Sequence, residues 1–180
     1  PARLESTRLR HKLLLADTGR PLLAHTVERA LEVMAASAGR ISRVLVAADC
    51  AELVEAARGA GAEAVLTDPG HRSGTDRIAE AAADLPEEVI INLQADEPEI
   101  PVDAVLKLAD LILAAPDEVM ATLATPIFSE PELNSPSVVK VVLDSCGHAL
   151  CFSRAPIPFA RDGRDTGPGL PIGLRHMGIY

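Results

Sequence analysis

Apolar residues along this chain alternate between two spacings, one that suits helices and one that suits buried strands. Leu23, Val27, Ala30 and Met34 mark one helix face, entered through Asp17-Thr18-Gly19-Arg20 with Pro21 at the first helical position and closed near Gly39. His25 lies on or beside that face and reads as a structural histidine. Val44 to Ala47 is an unbroken apolar run, the pattern of a buried strand, and it leads to Asp49. A helix through Leu53, Val54 and Ala57 closes at Gly59 and Gly61, and Ala64 to Leu66 is a further short strand. Ser73 and Asp76 have the spacing of a capping box before a helix carrying Ile78, Ala79 and Ala82. Val89-Ile90-Ile91-Asn92-Leu93 predicts a central strand buried on both faces, and Pro98 stops it.

The second half continues in the same manner. A helix from Val102 to about Ala115 turns Val105, Leu106, Ala109, Ile112 and Leu113 inward, and a strand over Val119 to Ala124 ends at Pro126. After a Pro-rich connection over 127–136, Val138 to Leu143 and Ala149 to Phe152 predict a hairpin around Asp144-Ser145-Cys146-Gly147. Asp162 to Gly173, rich in Gly and Pro, reads as a mobile loop. The order of elements predicts an α/β fold, a mostly parallel doubly wound sheet with an added antiparallel hairpin, in a single domain over 1–180.

Charge changes this picture at one place. The net charge of -9 argues against nucleic acid or an anionic membrane as partner. Against that background Arg3, Arg8, Arg10 and Lys12 crowd into the first twelve residues with Ser6 and Thr7, a composition suited to gripping a triphosphate and equally that of a solvated terminus. There is no GxxxxGK[ST], so this is not a P-loop. Cys50, Cys146 and Cys151 are odd in number and unpaired in spacing, which predicts neither a disulfide framework nor a zinc knuckle and fits a reducing cytoplasm. No apolar run spans a bilayer and no signal peptide is visible.

Asp96 carries the candidate chemistry. A carboxylate at the carboxyl end of a central parallel strand stands where open α/β sheets bind ligands, and Mg²⁺ commonly takes one or two carboxylates plus phosphate oxygens. Asp96 and Glu97 are also what an ordinary surface turn before Pro98 would contain. The loop 67–77 offers backbone N–H groups, hydroxyls and Arg77 to a ligand, and serves as well as a simple helix cap.

Six stretches taken in order are more specific than any one alone: PAR..STRL..K at Pro1 to Lys12, HRSGTDR at His71 to Arg77, NLQADEP at Asn92 to Pro98, VVKVVLD at Val138 to Asp144, FSRAPIP at Phe152 to Pro158, and RHMGIY at Arg175 to Tyr180. Together they resemble the 3-deoxy-manno-octulosonate (Kdo) cytidylyltransferases. The resemblance implies a Rossmann-like nucleotide-diphospho-sugar transferase fold and transfer of CMP from CTP to Kdo for lipopolysaccharide biosynthesis. It implies that Arg3 and Lys12 hold the CTP phosphates with Arg8 nearby, that Ser73, Gly74, Arg77 and Gln94 line the cytidine pocket, and that Asp96 ligates Mg²⁺. Arg154, His176 and Tyr180 would face the sugar acid, Arg154 pairing with its carboxylate. Arg3, Lys12 and Asp96 would carry catalysis by positioning and charge neutralisation, and no protein general base is assigned, since the sequence offers no clear candidate. A homodimer is expected, with the hairpin as its edge.

The chain departs from the family pattern at Arg10-His11, where the family has Pro-Gly, and at Ala95, where it has Gly. The family's first strand precedes the PAR motif and a second metal-binding aspartate follows GIY, so the resemblance implies a domain incomplete at both ends and poorly active alone. A sialate-like acceptor and a non-catalytic nucleotide-binding module are the rival readings.

Overall fold

The computed structural model describes residues 1–5, 9–159 and 169–180. These residues form two compact units, the first comprising Pro1–Ala121 with Ile179–Tyr180 and the second Thr122–Gly178.

In the first unit, strand β1 (Leu45–Ala48) pairs in parallel with β2 (Glu63–Leu66), Leu45 facing Glu63 and Ala48 facing Leu66. Helix α1 (Leu22–Ala36) precedes β1, and α2 (Ala51–Gly59) makes the crossover between the strands. Helices α3 (Gly74–Ala82) and α4 (Val102–Leu113) complete the unit. Each helix forms where the apolar spacing places it, although Leu113 of α4, expected inward, is exposed and Leu108 is buried instead. Leu23 and Val27 of α1 join Val46 and Ala48 of β1 and Leu53, Val54 and Ala57 of α2 in one core cluster. With no Trp and few aromatics, that core consists of aliphatic side chains. Three residues from outside the α-helices and strands enter it as well: Ala2, Leu13 and Ala95. The basic loop and the acidic turn are therefore rooted in the same core as the strands.

The segment over Val89 to Leu93 differs from expectation. It is not a ladder strand: Val89 and Ile90 are 37% and 40% exposed, and its backbone pairs at Asn92, whose N–H donates to the Tyr180 carbonyl at 2.6 Å. On the side toward β1 it borders an apolar cavity of about 420 Å³, lined also by Val44–Ala47, Leu23 and Val105. A run of β-branched residues favours extended backbone but makes a strand only where neighbouring N–H and C=O groups face it.

The second unit is an antiparallel sheet of order β3-β6-β4-β5, from β3 (Leu123–Ile127), β4 (Lys140–Leu143), β5 (Ala149–Ser153) and β6 (Gly173–Met177), with a short helix α5 (Glu130–Asn134) between β3 and β4. The antiparallel part is thus larger than the expected hairpin, although the hairpin β4–β5 forms where it was placed, with Lys140 facing Ser153. The strand expected over Val119 to Ala124 lies further along the chain. Val119 and Met120 are 100% and 69% exposed, whereas Ile127 is buried with Leu133 and Ile172. Pro126 sits inside β3 opposite Leu174, which the ladder tolerates because β3 is an edge strand. Of the Gly- and Pro-rich loop, residues 160–168 lie outside the described residues, and its end at Gly173 opens β6.

Cys50, Cys146 and Cys151 are free thiols. Among the described residues no helix is long and apolar enough to cross a membrane.

Leu53 is fully buried between α2 and β1, so Leu53→Ala should lower the unfolding free energy by about 2–5 kcal/mol, read from urea denaturation of the two variants.

Candidate active site

The polar pocket of the first unit lies beyond the carboxyl ends of β1 and β2. It has a volume of about 310 Å³ and is lined by Pro1–Arg3 and Glu5, by Lys12 and Leu13, by His71–Gly74 and Arg77, and by Gln94–Asp96. Three segments far apart in sequence supply these groups, and each is held by a separate device.

The basic loop is fastened at its start. The Ala2 N–H donates to the Ala47 carbonyl at 2.7 Å in a parallel bridge alongside β1, and the Leu4 N–H donates to the Asp49 carboxylate at 2.9 Å. Asp49 directly follows β1, and its second oxygen lies 3.7 Å from the Arg77 guanidinium. Both side chains are nearly inaccessible, 9% and 3% exposed. Arg77 also donates to Thr67 Oγ1 at 2.6 Å and to the Asp68 carbonyl at 3.3 Å, while Thr67 Oγ1 donates to Ala48 at 2.8 Å. The ends of β1 and β2, helix α3 and the basic loop are thereby tied together. Arg77 lines the pocket, but its guanidinium is committed to this brace.

Lys12 follows His11 into a single 3-10 turn, Lys12–Leu14. His11 occupies the left-handed region at φ 51°, which costs a side-chain-bearing residue about 1–2 kcal/mol and costs glycine nothing. The backbone geometry that a glycine would adopt freely is kept here by histidine.

The second segment is capped as expected. Ser73 Oγ accepts from the Asp76 N–H at 3.1 Å and donates to the Asp76 carboxylate at 2.7 Å. Gly74 opens α3 where any larger residue would collide: a Cβ would lie 2.8 Å from the Pro1 ring. The loop before it is fixed by His71, bonded to Glu80, and by Glu80 accepting from the Asp68 N–H at 3.0 Å. The His71 bond, followed by the Asp68 bond, holds the Glu80 carboxyl below its usual range.

The third segment places Asp96. Thr26, buried on α1, donates to the Ala95 carbonyl at 2.8 Å, and Asn92 exchanges backbone bonds with Tyr180 on the other side. Gln94 donates from Nε2 to the Asn92 side chain at 3.1 Å. Asp96 then meets Lys12, Nζ to Oδ2 at 2.7 Å, with the side chains 38% and 43% exposed for Lys12 and Asp96. An exposed pair of this kind contributes about 0.2–1 kcal/mol, so a stronger ligand can part it.

The pocket thus gathers Arg3, Lys12, Ser73, Gly74, Arg77, Gln94 and Asp96, while Arg8 lies outside the described residues. Tyr180 contributes backbone bonds to Asn92 and does not line the pocket. Arg154 and His176 belong to the second unit. There Arg154 is exposed and donates to the Pro136 carbonyl at 2.7 Å. His176 Nε2 is 2.8 Å from Thr122 Oγ1 and its ring meets Phe152 edge-on at 4.8 Å. Burial holds the His176 imidazole below its ordinary pKa. Asp49 and Thr26 were not legible as site residues, because their partners lie 45 and 69 positions away, and Thr67, read with its loop as facing a ligand, instead donates to Ala48 and accepts from Arg77.

A cytidylyltransferase family model matches residues 1–180 of this chain. The chain belongs to the cytidylyltransferase family. Among family members, it is similar to the 3-deoxy-manno-octulosonate cytidylyltransferases of Marinobacter nauticus and Halorhodospira halophila. Identity is 44% and 46%, over all of this chain and 71% and 70% of theirs. It is similar as well to a CMP:2-keto-3-deoxy-manno-octonic acid synthetase solved in complex with CTP. That likeness has a TM-score of 0.86 at 37% identity, over 99% of this chain and 70% of the other. The α/β nucleotidyltransferase fold of this cytidylyltransferase is therefore shared with that enzyme, as the sequence motifs implied.

Two outcomes follow from this geometry. Asp49→Ala strands a buried guanidinium and frees the Leu4 N–H, and should destabilise the protein by about 2–4 kcal/mol, with Asp49→Asn retaining the Leu4 acceptor and losing less; chemical denaturation and amide exchange at Leu4 check this. Burial lowers the His176 pKa in the folded chain, so around the ordinary imidazole pKa the unfolded chain binds more protons at this residue. Stability from this residue is complete above the ordinary imidazole value and is lost as pH falls below it, so Tm should climb as pH rises toward that value, with a shallower climb in His176→Gln by calorimetry.

Proposed function

We propose that this cytidylyltransferase transfers CMP from CTP to Kdo and releases pyrophosphate. The observation that carries the reading is the convergence of Arg3, Lys12, Ser73, Gly74, Gln94 and Asp96 on one polar pocket in a chain that is acidic elsewhere. Cationic groups are concentrated where a triphosphate needs them, and the names of the similar proteins specify the nucleotide and the sugar acid.

The donor set fits Mg²⁺ better than a fully protein-bound metal. Among the described residues no three His, Cys, Asp or Glu side chains form a metal cage, and Asp96 offers one half-exposed carboxylate beside the cationic loop. Mg²⁺ is bound in just this manner, through one or two carboxylates with phosphate oxygens completing the shell. Bound there, Mg²⁺ supplies neutralisation of charge on the phosphates.

The chain's own residues then have distinct tasks. Lys12 leaves Asp96 for the phosphates, and Arg3 adds a second cation from the same loop. Ser73, Gly74 and Gln94 shape the base end of the pocket, Gly74 because no side chain fits there. Asp96 is held for the metal by Thr26 through the neighbouring carbonyl. Arg154 presents its guanidinium to the carboxylate of Kdo, with His176 and Tyr180 assigned to the same substrate. The anomeric hydroxyl attacks the α-phosphorus in line as pyrophosphate departs, and catalysis is positioning and charge stabilisation. We assign Arg8 to the phosphates and the protein to the cytoplasm as a homodimer making a precursor of lipopolysaccharide.

Pyrophosphate release from CTP should require Kdo and Mg²⁺, and release with a sialate in place of Kdo would overturn the acceptor. Asp96→Asn should reduce kcat/KM by about 100-fold or more and abolish CTP-dependent Mn²⁺ binding followed by electron paramagnetic resonance. Lys12→Met should instead weaken CTP about tenfold while leaving that metal signal in place at saturating nucleotide.

A further inference from the structure

Lys140 opens β4 in the VVKVVLD stretch and is completely buried. Its ammonium donates to three backbone carbonyls, those of Ser135 at 2.9 Å, Val138 at 2.8 Å and Arg154 at 2.6 Å. An ammonium carries three donors, so the group is fully used by these acceptors. Arg154 reaches the same turn from the other direction, its guanidinium bonded to Pro136 between two of the lysine's acceptors. Lys140 also faces Arg175 in β6, and the His176 N–H donates to the Val139 carbonyl at 2.8 Å.

Burying a charged amine among carbonyls is costly, and an aliphatic residue would fill the same space more cheaply. What an aliphatic residue cannot do is fix three carbonyls from two chain segments at hydrogen-bond distance from one point. One of those segments bears Arg154, an exposed side chain on a stretch that has just left the sheet. Among the described residues, the hydrogen bond that would still join Arg154 to the 135–138 turn without the ammonium is the arginine's own side-chain bond to Pro136, and the substrate's carboxylate would have to recruit that side chain.

We propose that Lys140 is a positioning residue for sugar-acid recognition, holding the Arg154 main chain against the 135–138 turn so that the guanidinium meets a carboxylate without prior ordering. The proposal rests on the reading of Arg154 as the partner of the Kdo carboxylate. A guanidinium has five donors and, among the described residues, its bond to Pro136 uses one, so the others can take a carboxylate while the lysine keeps its base in place.

A double-mutant cycle on the full enzyme tests this. Lys140→Met should raise KM for Kdo about tenfold and leave KM for CTP within about twofold, and in an Arg154→Ala background the same change should add less than about twofold. Additive effects on KM for Kdo, or equal losses for both substrates, would assign Lys140 to stability alone and overturn the proposal. If Lys140→Met does not fold, Lys140→Gln keeps two donors and takes its place in the cycle with the same pattern expected. Should Arg154→Ala by itself leave KM for Kdo unchanged while turnover with Kdo persists, the assignment of Arg154 fails, and Lys140 loses its proposed role with it; the cytidylyl transfer reaction stands.

Discussion

In a chain of net charge -9, the start of the cationic loop is held in place by the Asp49 carboxylate. It receives the Leu4 N–H on one oxygen and stands beside Arg77 on the other. Because Asp49 follows β1 and Thr67 follows β2, the brace forms at the ends of two paired parallel strands, where the backbone is already fixed. A buried ion pair of this type adds little net stability, since desolvation offsets most of the attraction. Its value is geometric. It converts the rigidity of the sheet into the position of the loop that carries Arg3 and of the helix start that carries Ser73 and Gly74.

The opposite wall of the pocket depends on a different balance. The turn bearing Asp96 is held at its backbone by Thr26 and through Asn92 by Tyr180, whereas the Asp96 side chain pairs with an exposed lysine in an ion pair of modest strength. Backbone order with side-chain freedom suits the proposed site, where carboxylate and ammonium would exchange each other for a metal and a phosphate. A rigid, buried Lys12–Asp96 pair would have been a structural element, since separating it would cost several kcal/mol.

How much of this was legible in the sequence depended on the range of the interaction. The helices α1, α2 and α4 followed from apolar spacing, and the Ser73 cap from its partner three residues on, because both are local signals. The segment 89–93 was misread as a ladder strand, since its β-branched run reports backbone preference and not whether a neighbour is present to pair with it. The start of β3 was misplaced because Pro126 looked like a terminator, which it is in a central strand and need not be in an edge. The pocket residues came from matched stretches in order, yet the residues that position them did not. Thr26, Asp49 and Lys140 look like an ordinary helix, turn and strand residue, and only the fold discloses what they hold.

The two departures from the family pattern are absorbed in different ways. At position 11 the loop keeps a left-handed turn, so the histidine bears a local strain that the surrounding contacts must sustain. At position 95 the additional methyl belongs to the core cluster with Leu23 and Val27, and the carbonyl of the same residue accepts from Thr26. There the change adds apolar burial, and the backbone stays fixed by its hydrogen bond. A glycine in a motif can be required for its φ or for lack of space, and the two cases have different consequences when it is replaced. His11 shows the first requirement met at a cost, while Gly74, with the Pro1 ring where its Cβ would be, shows the second still in force.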